Sequence, residues 1–153
     1  MVPLPPPRPL AVTTLGVRWL HVLAATVAVG GGVLTWLRFR VEPFDGEGRD
    51  AVRLARAYEW LFWAAVGTLV MTGVGNLGAF APTLPGGAWR ATLDAKLALV
   101  VVVLVGSAVR TRLLVRVRRS AGGVPMRLLR RAYGATALGL VALLTLAEVL
   151  AHG

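Results

Sequence analysis

Two histidines, the single lysine and one glutamate fall inside strongly apolar runs of this 153-residue chain. His21 lies in "WLHVLAATVAVGGG", Lys96 in "DAKLALVVVVL", and Glu148 and His152 in "LAEVLAH". A neutral imidazole is a common metal ligand. Glu148 and His152 are spaced i, i+4, so they share a helix face and suit a metal pair. Two histidines allow at most one haem with two histidine axial ligands, His21 and His152, or one histidine with a different second ligand. There is no cysteine, which excludes disulfides, thiolate metal sites, iron–sulfur clusters and thioether-linked haem. Each residue also has a plainer role. His21 can hydrogen-bond a backbone carbonyl or a Thr or Asn on a neighbouring helix. Lys96 and Arg18 can extend along their apolar stems to the headgroups. Glu148 and His152 can be a solvated chain end, and Met71 can be packing.

The elements that must position these groups are membrane helices. The chain is 56% hydrophobic with a mean hydropathy of +0.69, against about 45–50% apolar content in soluble domains. The excess falls in four blocks, each near the roughly 20 residues that cross a bilayer core. The spans are expected over about 13–37, 58–80, 91–114 and 128–151, forming one all-α four-helix membrane domain over residues 13–151. Residues 1–12 are Pro-rich and expected to be an extended, flexible tail, because Pro lacks an amide donor and clashes with the preceding turn. The first span is longer than a signal-peptide core and carries Arg18 and His21, so a cleaved leader fits poorly. Small residues within the spans favour close helix packing in lipid.

The formal charge of +10 is placed where topology explains it. Arg38, Arg40, Arg49, Arg53 and Arg56 lie between the first two blocks, and eight arginines from Arg110 to Arg131 lie between the last two. The positive-inside rule puts both basic loops in the cytoplasm and both termini outside. On this reading the thirteen arginines are topology determinants and lipid-headgroup contacts, and nucleic acid is not a partner. Trp19 and Trp89 are expected at the outer interface, with Trp36, Tyr58 and Trp60 at the inner one. His21, Met71, Asn76, Lys96 and Glu148 then gather in the outer half of the bundle. The inner half reads as nearly pure Ala, Val, Leu and Gly. Phosphate-binding, serine-hydrolase and zinc-protease motifs are absent from the sequence.

The segments "WLHVLAATVAVGGGVLTWLRF", "VMTGVGNLG" and "ATLDAKLALVVVVLVGSAVRTRLL" resemble, in that order, the first three helices of the copper-resistance D (CopD) family. The similarity covers roughly residues 15 to 150. The family's Trp before the Gly pair is replaced here by Ala28 or Val29, so a site beneath that Trp would differ. The resemblance implies a multi-pass protein of a bacterial or archaeal cytoplasmic (inner) membrane that takes part in copper transport or homeostasis. His21 is then the principal copper ligand, with Met71, Glu148 and His152 as additions, since imidazole and thioether suit copper. The implied partners are the lipid bilayer, further copies or other membrane subunits, or a periplasmic or extracellular copper carrier. HemJ-type protoporphyrinogen oxidases are more distantly similar. They imply haem b, with His21 as axial ligand and Lys96 at a propionate, but their signature after the first helix is missing. A structural subunit of a membrane complex is the third expectation, with the polar cluster meeting a partner helix.

Overall fold

A computed structural model describes residues 9–41, 49–80, 86–119 and 126–152. It is all-α, with α1 Pro9–Val41, α2 Arg49–Phe80, α3 Ala88–Arg119 and α4 Met126–His152. α1 starts at Pro9, so four residues of the expected tail are helical. A proline is tolerated at the first helical position because an amide there would have no intrahelical partner. Residues 1–8 lie outside the described residues. α2 likewise takes in the charged lead-in from Arg49. Gly87, at φ 62°, precedes α3, and its carbonyl accepts the Ala91 amide at 3.2 Å.

Among the described residues, Thr13–Val41, Ala88–Val117 and Met126–His152 are long and apolar enough to cross a membrane. Their apolar surface faces outward. Val22, Leu23, Val101, Val102 and Val105 are each more than half exposed, whereas Ala24, Ala28, Ala51, Ala55 and Ala65 are buried. A soluble protein rarely tolerates such contiguous apolar surface. In lipid it is the expected arrangement, with small residues inside and Leu and Val outside. The molecule is a multi-pass helical membrane protein.

Contacts fix the arrangement. Tyr58 of α2 lies on Gly31 of α1, while His21 meets Thr72, so α1 and α2 are antiparallel. Phe39 meets Tyr133 and Gly32 nears Leu140, so α4 is antiparallel to α1. Val103 packs on Gly139, and the Trp89 indole donates to the Leu150 carbonyl at 3.2 Å, so α3 and α4 are antiparallel too. α1 packs on α2 and α4, and α4 on α3; α2 and α3 meet least. Glycine permits the closest approaches. A Cβ on Gly31 would lie 2.5 Å from the Tyr58 ring, and one on Gly134 would lie 2.7 Å from the Trp36 indole nitrogen.

Candidate functional site

Polar groups inside the bundle form two separate centres. The first lies where α1 and α2 cross toward the free ends of α1 and α4. His21 is half-buried, and its Nδ1 is 2.6 Å from the Thr72 hydroxyl. That hydroxyl lies 2.7 Å from the Thr68 carbonyl and 3.3 Å from the Leu69 carbonyl. A hydroxyl has one proton to give. When the proton goes to the Thr68 carbonyl, the usual back-bond of a helical Thr, the Thr72 oxygen is an acceptor and Nδ1 must donate. Nε2 then carries a bare lone pair. A metal-binding histidine is oriented in this way by a partner on its other nitrogen.

Lys96, half-buried on α3, lies toward the same end, because the start of α3 meets the end of α4 at Trp89 and Leu150. The structure therefore brings His21, Thr72 and Lys96 to one end of the bundle. The other expected site residues make no polar contact with His21 among the described residues. Met71 is 76% exposed. His152 Nδ1 sits 3.0 Å from the Glu148 carbonyl oxygen and 3.5 Å from its carboxylate, with both side chains exposed. Among the described residues no hydrogen bond or ion pair joins Glu148 or His152 to His21. No group of three His, Asp or Glu side chains there is placed to hold one ion. Asp94 pairs loosely with Arg90 on the surface at 4.0 Å. The Asn76 side chain lies outside the described residues. A shallow hollow lined by Arg18, Trp19, Val22, Leu23 and Thr26 lies on one face of α1, offset from His21 by helical phase.

The second centre lies toward the basic end and was not expected. Arg110 has a fully buried side chain, and Glu59 is 9% exposed. The guanidinium Nε donates to Glu59 Oε1 at 2.8 Å and Nη2 to Oε2 at 3.2 Å. The Tyr133 hydroxyl donates to Oε1 at 2.7 Å, and the Thr111 hydroxyl to Oε2 at 2.7 Å. The carboxylate thus accepts four hydrogen bonds, about its full capacity. Three rings enclose the guanidinium, with centroids at 4.4 Å for Phe62, 4.7 Å for Tyr133 and 5.5 Å for Tyr58. Trp63 donates to Thr111 at 3.2 Å, so the weakest seam, α2–α3, is fastened here. Among the described residues, two buried polar atoms, Arg110 Nη1 and Ser107 Oγ, have no partner.

This centre corrects three expectations. The half nearer the basic loops is not purely Ala, Val, Leu and Gly. Arg110 is not a loop arginine but a buried residue of α3. Tyr58 is not at the lipid interface. It is 3% exposed, and its hydroxyl donates to the Ala28 carbonyl at 2.6 Å. Helical phase carries the missed signal. Val103, Ser107, Arg110 and Leu114 form one buried stripe at helical spacing, whereas Arg112 and Arg116 fall off it and are exposed. Glu59 joins Ala55 and Phe62 on the buried face of α2 in the same way.

No protein-family profile, curated protein or solved structure matches this chain.

Proposed function

We propose that the chain is a membrane protein that handles copper at its His21 end, with His21 binding the ion through Nε2. The observation that carries this reading is the Thr68–Thr72–His21 contact chain: with the Thr72 proton on the Thr68 carbonyl, Nε2 of a neutral His21 is a ligating atom in a half-buried, mostly apolar setting. Imidazole is a suitable copper ligand. One protein ligand favours transient handling over tight storage, with a partner protein completing the shell. The clustering of arginines at the other end supports an orientation with both termini outside, in a bacterial or archaeal cytoplasmic membrane. The His21 site then opens to the external side.

The test is metal analysis of purified protein after Cu(I) loading. Wild type is expected to retain about one copper per chain, His21→Ala to retain none, and Thr72→Val to bind about 10–100-fold more weakly. Copper retention unchanged in His21→Ala would refute the assignment.

A b-type haem is the second reading. It is favoured by Lys96, half-buried at the same end, where its ammonium would meet a propionate, and by the loosely packed α2–α3 seam. Haem would supply redox chemistry, while His21 and Lys96 would hold and orient it. Expression with ample haem discriminates the two, since a His21-dependent Soret band is expected only on this reading.

A further inference from the structure

The α1–α4 seam at the basic end combines features unrelated to His21. Trp36 of α1 lies edge-on against Gly134 of α4, where a Cβ would come 2.7 Å from the indole nitrogen. The Arg40 guanidinium lies over the Trp36 ring, 5.2 Å from its centroid, so Arg40 stands on the same seam. Arg131 precedes Gly134 by three residues and Leu138 follows it by four, which places both on that face of α4. Phe39 and Tyr133, with ring centroids 5.3 Å apart, set the register and bring Arg40 and Arg131 to similar heights. Both arginines are exposed, and Leu138 is 72% exposed. The seam therefore presents two cations at its basic end, an amphipathic indole beside them and an apolar wall further along.

Charge adds a second argument. Between Thr111 and Arg131 the sequence has seven arginines and no acidic residue. The one arginine just before them, Arg110, is neutralised by Glu59. Residues 38–59 on the same side add five arginines and five acidic residues, so this side of the bundle carries excess positive charge next to lipid-exposed apolar surface, and basic sites between membrane helices recognise anionic headgroups.

We infer that the α1–α4 seam is a binding site for an anionic phospholipid. Arg40 and Arg131 hold the headgroup phosphate, the Trp36 indole lies at the glycerol level, and an acyl chain follows Leu138. The occupant is a lipid rather than a free anion because the cations continue directly into an apolar surface. That surface would gain nothing from inorganic phosphate.

Delipidated full-length protein in detergent, titrated with short-chain phosphatidylglycerol and read by native mass spectrometry, tests this. Wild type is expected to retain phosphatidylglycerol but not phosphatidylcholine. Arg40→Gln with Arg131→Gln should weaken retention about tenfold or more. Trp36→Leu should weaken it with all charges kept. Arg112→Gln with Arg116→Gln, which removes two exposed arginines of α3, should change it less than about twofold. The proposal is overturned if the α3 pair costs as much as the seam pair. It is equally overturned if phosphatidylcholine is retained as well, or if inorganic phosphate displaces the lipid. All the altered arginines are exposed, and an unchanged melting temperature confirms that the variants fold.

Discussion

The two polar centres use similar residue types to opposite ends. At Glu59–Arg110 each charge is enclosed, and the carboxylate accepts hydrogen bonds from two helices besides its own. At His21–Thr72 the imidazole is tied, among the described residues, on one nitrogen only. A closed network fixes helices against one another and leaves the carboxylate little capacity to bind anything. An open one is held in orientation and keeps a ligating atom unused. The contrast is between a carboxylate whose capacity is filled and an imidazole held at one ring nitrogen.

Substitutions at the two centres should differ in their cost to stability. The largest effect is expected for Glu59→Ala, which leaves the Arg110 cation buried and unpaired, at a cost of about 3–5 kcal/mol. Reversible unfolding in mixed micelles measures it. Replacing the pair together, Glu59→Leu with Arg110→Met, should recover most of that loss, because well-packed apolar residues often substitute for a buried ion pair at little cost. If the double variant were as unstable as the single one, the centre would be more than a fastening. Next, Tyr133→Phe removes one donor to the carboxylate and should cost about 1.5–3 kcal/mol. Gly31→Val forces the Tyr58 ring off α1 and should cost about 1–3 kcal/mol by overpacking. The smallest stability effect belongs to His21→Ala, about 0.5–1.5 kcal/mol for one hydrogen bond, although it should abolish metal retention. A loss comparable to Glu59→Ala would place His21 among the structural residues.

Much of the architecture was legible in the sequence. Hydropathy and the Pro- and Gly-rich stretches mark out the four helices, of which three, α1, α3 and α4, are long and apolar enough to cross a membrane among the described residues. His21 and Lys96 stood out because charge and imidazole are expensive in lipid. Glu59 and Arg110 did not, for a physical reason. Each sits in a sequence stretch rich in arginine, "RLARAYEW" and "VRTRLLVRVRR", where charge density reads as a solvated flank. Only the phase of each helix reveals that one arginine among several turns inward, and that phase is set by tertiary packing. Tyr58 was misplaced similarly, since an aromatic near a span end suits both the interface and a core. Its burial follows from Gly31 and Gly32 on α1, which lie in contact range of its ring and hydroxyl. The Thr68–Thr72–His21 contact chain was hidden too, because a single hydroxyl gains its meaning only when α1 and α2 are docked.

The most direct test is ¹⁵N NMR of His21 in a His152→Gln background, which leaves one histidine to observe. A protonated Nδ1 and a bare Nε2, whose resonance alone moves strongly on addition of Cu(I), are expected. A protonated Nε2, or a spectrum unchanged by Cu(I), would contradict copper binding through Nε2.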